Sequence, residues 1–75
     1  MVIFDKLKEM IKDELGFETE DLTLTTTLED MGADSLDAVE LIMAIEEAYD
    51  IEIPETDALN FTSLGNIVSY IESKI

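Results

Sequence analysis

GADSLDAVELIMAIEEAYDIEIP, residues 32–54, decides how this chain folds. From Ser35 onward its apolar residues return every three or four positions, the period of an amphipathic helix. The spacing predicts a helix opened by Asp34 or Ser35 and running to about Asp50. Pro54 then ends it, because proline cannot continue a helix and biases Ile53 toward an extended backbone. Placed around the axis at about 100° per residue, Leu41, Ala48, Ile45, Ala38, Tyr49 and Ile42 form one arc, the expected core face. Asp37, Glu40 and Glu47 cluster on another strip with small Ala44 among them, and Leu36, Val39 and Met43 lie beside that strip. This helix carries more apolar surface than one buried face needs. Either it is buried on more than one side, or Leu36 and Met43 stand exposed beside acids as a docking surface for a basic partner.

The flanking sequence supplies more helices. Phe4, Leu7, Ile11 and Leu15 make one stripe, which predicts a first helix over residues 3–15. Lys8 and Lys12 follow Asp5 and Glu9 at surface-pairing distance, and Gly16 suits a left-handed stop. Residues 16–34 are a long connection whose threonines disfavour helix, with Leu22, Leu24, Leu28 and Met31 expected to pin it to the core. A connection this long in a small domain is often functional. TDALNF, residues 56–61, predicts one short helical turn. Thr62 or Ser63 caps a last helix whose buried stripe is Leu64, Ile67, Val68, Ile71 and Ile75. Gly65, within its first turn, is expected to weaken that end. The sum is an all-α fold, a small four-helix bundle of three main helices plus one short one, in a single domain over residues 1–75.

Composition narrows the chemistry. The 75 residues hold 19 acids against four lysines, a net charge of −15, yet 47% of them are hydrophobic, so the chain is no disordered acidic tail. Such a charge repels nucleic acid and anionic lipid and favours partners with basic faces. There is no cysteine for a disulfide, a thiolate nucleophile or a zinc site, no histidine for general base catalysis, and no arginine clamp. MVIFDKLKEM lacks the apolar core of a signal peptide, and no run approaches membrane-spanning length. These features predict a soluble cytoplasmic domain with no catalytic residues.

Ser35 has two explanations. In one it helps to cap the helix, alone or beside Asp34, which stands at capping-box spacing from Asp37. In the other Asp34 caps, and the Ser35 hydroxyl is left at the positive end of the helix, where a phosphate ester would be favoured. From the tripeptide DSL alone capping is the plainer account, and the neighbouring aspartates would repel a phosphate. A self-contained hydrolase finds little support, because Ser35 has no histidine and nothing local marks a lysine base or oxyanion hole. Glu29, Asp30, Asp34, Asp37 and Glu40 could attract divalent cations loosely, but placing Gly32 at the glycine of an EF-hand loop puts Met31 and Ala38 where ligands belong. No dedicated metal site is expected.

GADSL, the acidic helix DAVELIMAIEEAY and the IEIP after it together resemble the signature of the acyl carrier protein family. The likeness extends over essentially the whole chain, including the apolar first helix, the long loop and SYIE near the end. It implies that Ser35 carries 4′-phosphopantetheine, delivered from coenzyme A by a phosphopantetheinyl transferase, and that the thiol of this arm holds acyl intermediates as thioesters. It further implies a recognition face at Asp34, Leu36, Asp37, Glu40, Met43, Glu46 and Glu47, met by the basic docking faces of fatty-acid synthesis enzymes and acyltransferases. Of these, Glu46 falls near Ser35 on the helical projection rather than on the acidic strip. Family members also shelter the acyl chain between helices. Ile42, Ile45, Ile53, Ala58, Phe61 and Leu64 are the expected lining, with bulky Phe61 either limiting chain length or filling the core. A monomer is expected. The rivals are a carrier of polyketide, amino-acid or other cargo, from which Ala33, Asp34 and the acidic strip lean away, and an unmodified acidic module that binds basic proteins or divalent ions.

Because 19 acids face four lysines, moderate salt or magnesium should raise the melting temperature by relieving self-repulsion. Thermal unfolding followed by circular dichroism checks this, and an unchanged or lowered midpoint would contradict it.

Overall fold

The computed structural model describes residues 2–75. Four helices follow in chain order: α1 (Val2–Leu15), α2 (Ser35–Tyr49), α3 (Glu55–Ala58) and α4 (Leu64–Lys74). Leu7 and Ile11 of α1, Leu41 and Ile45 of α2, and Leu64, Ile67, Val68 and Ile71 of α4 are each no more than 2% exposed and form the centre of the core. Each of these stripes has the helical period, so burial of one face per helix is what brings the three long helices together. Among the described residues α1 packs most extensively on α2 and next on α4, whereas α3 contributes no buried residue. The fold is the expected all-helical bundle with a long connection between α1 and α2.

The helix ends follow from local chemistry. Gly16 takes φ +74° and its N–H donates to the Lys12 carbonyl at 3.0 Å, closing α1 as a left-handed stop. Ser63 caps α4, accepting from Asn66 N–H at 3.3 Å, while the Asn66 side chain accepts from Ser63 N–H at 3.1 Å. At the other end of α2, Asp50 adopts φ 53° and, with Ile51, donates its N–H to the Glu46 carbonyl. Aspartate tolerates this left-handed conformation better than most residues.

The long connection is tied down mainly through its backbone. Leu28 N–H donates to the Thr62 carbonyl at 3.2 Å, Leu64 N–H to Thr26 at 2.9 Å, and Gly65 N–H to Leu24 at 2.8 Å. These bonds make a short antiparallel seam, with an isolated bridge between Thr27 and Ser63. Leu22, Leu28 and Met31 pack on the core as expected. Leu24 does not; its side chain is 37% exposed, and it anchors the loop with its carbonyl instead. That same carbonyl corrects the expectation for Gly65. A Cβ at position 65 would stand 2.9 Å from Leu24 O, so glycine is there to let two backbones approach, not as a weak point.

Three further expectations are corrected at the surface. Ile75, at 65% exposed, lies beyond the last turn of α4 and outside the buried stripe. Ala48 is exposed, at the edge of the α2 arc beside an open groove that Met10 and Glu14 of α1 also line. Among the described residues the ion pair at expected spacing is Lys8 to Asp5, at 3.7 Å, and none forms between Lys12 and Glu9. The Lys8 ammonium also sits 4.9 Å from the Phe4 ring centre, and that of Lys6 sits 5.4 Å from that of Tyr49. Burial pushes the Tyr49 phenol above its ordinary pKa, and its oxygen is buried without a hydrogen-bond partner.

Gly65→Ala should therefore destabilise the fold by about 1–3 kcal/mol, as overpacking against backbone does. Urea unfolding measures the loss, and amide exchange at Leu28 and Leu64 should rise with it. A stability equal to that of wild type would show that the seam yields without cost.

Candidate functional site

The start of α2 settles what Ser35 does not do. Asp34 is the N-cap: its Oδ1 accepts from Asp37 N–H at 2.9 Å, and Asp37 Oδ2 accepts in return from Asp34 N–H at 3.2 Å. Ala38 N–H donates to the Asp34 carbonyl at 3.0 Å. Two aspartates thus complete the capping box without the serine between them. Ser35 is exposed in the first turn of α2, and among the described residues its hydroxyl has no hydrogen-bond partner. The backbone N–H groups of Ser35 and Leu36, which no helical carbonyl can reach, remain at the same open end. The partial positive charge of that end favours a nearby anion, and the Asp34 and Asp37 carboxylates oppose it.

Beyond Ser35 the outward side of α2 combines acids with apolar side chains. Leu36 is 65% and Met43 61% exposed, and Val39 is half exposed. Glu40 and Glu47 are exposed, while Asp37 and Ala44 are half-buried. A shallow groove of about 410 Å³ between α1 and α2 is lined by Glu14, Glu40, Met43, Ala44 and Glu47. Met10, Glu14 and Ala48 border its continuation. Glu14 and Met10 were missed by sequence reasoning. Glu14 lies next to Leu15 and three residues beyond Ile11, at the border of the α1 stripe, and that position was the available signal. Lys6 and Lys8 lie against aromatic rings of the first half of the bundle, and Lys74 lies 5.3 Å from the Tyr70 ring centre. No lysine belongs to α2 itself.

Glu46 is placed differently from the other acids. It is half-buried, and its Oε2 accepts from the backbone N–H of Ile53 at 2.9 Å. The structure also divides the six residues expected to line an acyl pocket. Ile42, Ile53 and Ala58 border a depression of about 260 Å³ between α2 and α3, together with Val39, Met43, Glu46 and Glu55. Ile45 and Leu64 are wholly buried in the core. Phe61 is 8% exposed and packs edge-on against Tyr70, ring centres 5.2 Å apart, so it fills core space. The Tyr70 hydroxyl donates to Asp57 Oδ2 at 2.7 Å, and this bond holds the phenol above its ordinary pKa. Among the described residues no three acids are grouped to hold a metal ion.

A family model described as phosphopantetheine attachment site matches residues 5–71. The chain is 51% identical over 70 residues to the acyl carrier protein of Clostridium perfringens strain SM101, covering 92% of each chain. It is 47% identical over 74 residues to the acyl carrier protein of Streptococcus pyogenes serotype M1, covering 99% of this chain and 97% of the relative. The chain belongs to the acyl carrier protein family.

Its cofactor is accordingly phosphopantetheine. An acyl carrier needs a hydroxyl that a phosphorus atom can reach and that the fold can spare. The exposed, unbonded Ser35 hydroxyl at the positive end of α2 fits both requirements.

The division of labour at the start of α2 has a measurable consequence. Ser35→Ala should change unfolding free energy by less than about 0.5 kcal/mol, as surface substitutions do. Asp34→Ala should cost about 1 kcal/mol through loss of the cap. Urea titrations of both variants check the pair, and a larger loss for Ser35→Ala would show that the serine is structural.

Proposed function

We propose that this chain carries acyl intermediates of fatty-acid synthesis on a 4′-phosphopantetheine arm joined to Ser35. The observation that carries the reading is the unbonded Ser35 hydroxyl beside a cap made wholly by Asp34 and Asp37. When bound, the group supplies a thiol that holds the acyl chain as a thioester, which a chain without cysteine cannot offer from its own side chains. Ser35 Oγ forms the new bond to the pantetheine-side phosphorus of coenzyme A as the pyrophosphate P–O bond breaks, and adenosine 3′,5′-bisphosphate leaves. The Ser35 hydroxyl proton goes to a base of the phosphopantetheinyl transferase, since no histidine or other base on this chain is in hydrogen-bond reach. The capping box keeps the first turn of α2 in place while the arm swings from its exposed anchor. The chain itself is a carrier with no catalytic residues, acting as a monomer in the cytoplasm, with its one domain spanning residues 1–75.

The face at Asp34, Leu36, Asp37, Glu40, Met43 and Glu47, with Glu46 at its edge, meets the basic docking surfaces of the transferase, of fatty-acid synthesis enzymes and of acyltransferases. Its exposed acids, with no lysine on the same helix, draw such partners by long-range attraction. Rim charges of this kind raise association rate more than affinity, which suits a carrier that must leave each enzyme. Exposed Leu36 and Met43 supply apolar contact that adapts to different partners. Glu14 of α1 extends the acidic side of the groove. The acyl chain finds partial shelter between α2 and α3, beside Ile42, Ile53 and Ala58, where each buried methylene contributes up to about 0.8 kcal/mol.

Incubation with coenzyme A and a phosphopantetheinyl transferase should add one prosthetic group to the intact mass of the wild type and none to Ser35→Ala. A wild type that gains no mass with a competent transferase would sink the reading. Glu40→Lys should keep its helicity by circular dichroism while kcat/KM with a basic partner enzyme falls about tenfold at low salt. Undiminished transfer with every partner would remove this face from the docking surface.

A further inference from the structure

The short helix α3 buries no residue, though Ala58 packs against the core beside buried Ile53, and Glu46 of α2 adds hydrogen bonds to the segment that precedes it. Glu46 accepts three backbone N–H groups from the connection that follows α2. Its carbonyl takes those of Asp50 and Ile51, and its carboxylate reaches past them to Ile53 at 2.9 Å. Ile53 leads directly into Pro54, whose carbonyl accepts from Asp57 and Ala58, both at 3.0 Å, so the position of Ile53 sets that of α3. On its far side α3 is fastened to α4 by the bond from Tyr70 Oη to Asp57 at 2.7 Å. Glu46 and Ile53 both line the depression between α2 and α3, and their bond joins the α2 side to the segment that leads into α3. Ile45 and Leu64, which do not line the depression, are wholly buried.

We infer that Glu46 is a latch: its bond to Ile53 N–H holds α3 against α2, and breaking that bond lets the acyl chain enter between them, with the Tyr70–Asp57 contact as the hinge. The inference rests on the acyl-carrier reading and deepens it. It gives Glu46 a role as a positioning residue for the carried chain, distinct from the docking charge that family resemblance assigns it. The chemistry is that of one half-buried, charge-assisted hydrogen bond, strong enough to keep the cleft shut and weak enough to be exchanged for a buried alkyl chain. No proton transfer is needed.

Residue-resolved amide exchange by NMR tests the latch in the protein without its arm. Glu46→Ala should speed exchange at Ile53 about tenfold, against twofold or less at Leu41 and Ile67 in the core. Glu46→Gln keeps an oxygen acceptor and should stay within about threefold of wild type. A pure docking charge predicts instead that Gln and Ala behave alike in transfer assays, with neither altering Ile53. Loading the wild type with an octanoyl chain should also speed Ile53 exchange, and should add little in Glu46→Ala. Unchanged exchange at Ile53 in Glu46→Ala, an equal rise at the core amides, a Gln variant as fast as Ala, or no effect of octanoyl loading would each overturn the latch. Failure of the wild type to load at all would overturn the carrier reading instead, and the exchange data from the unloaded protein tell the two apart.

Discussion

Asp34 and Asp37 hold each other's backbone N–H groups across the first turn of α2, and the usefulness of the rest of the molecule depends on that exchange. A helix start must satisfy its free N–H groups somehow, and serine is among the residues best able to do so. Here two carboxylates take the task and leave the hydroxyl between them unengaged. The arrangement has an electrostatic cost, since both acids crowd the end at which a phosphate would sit. In return the same acids begin the negative face that runs down α2 through Glu40 and Glu47. In the proposed function, anchor and recognition surface are therefore one continuous feature, with Ser35 at its head.

The remaining architecture keeps that feature fixed while one flank stays adjustable. The stripes of α1, α2 and α4 close a core of residues with almost no exposure, and the backbone seam between residues 24–28 and 62–65 straps the long connection to the start of α4. Gly65 permits the closest approach in that seam. Against this rigid frame α3 is only four residues long and buries no side chain; Tyr70 holds its Asp57 by one hydrogen bond, and Glu46 holds the preceding Ile53 by another. Regions with few buried contacts are those that open at least cost. The asymmetry suits a carrier, which must present a fixed surface to its partners and a yielding one to its cargo.

Side-chain periodicity made most of this legible. The spans of α1, α2 and α4 and the left-handed stop at Gly16 follow from spacing and residue type. The choice of Asp34 over Ser35 and of Ser63 over Thr62 as caps, and the exposure of Leu36 and Met43, were settled only by the fold. Features set by partners distant in sequence were not legible. Nothing in the vicinity of Gly65 reveals that Leu24 O lies where a Cβ would go, so the glycine reads locally as weakness. Leu24 reads as a core residue, although its carbonyl does the anchoring. Ala48 and Ile75 sit at apolar phases of their helices, but a helical projection does not say where a neighbouring helix stops covering them. Glu46 was the informative misfit. Its angle near Ser35 set it apart from the acidic strip, and only the fold supplied Ile53 as its partner. Of the six residues expected to line an acyl pocket, Ile42, Ile53 and Ala58 border the depression between α2 and α3, and Ile45, Phe61 and Leu64 are buried.

With three of its lysines set against aromatic rings and most of its acids exposed, the molecule carries a negative surface along α2 headed by the unbonded Ser35 hydroxyl. The most direct test is to locate the arm by fragment mass spectrometry of the phosphopantetheine-loaded protein. The account predicts the added mass on Ser35 alone. Added mass on Ser63, Ser69, Ser73 or a threonine, with Ser35 unmodified, would contradict it.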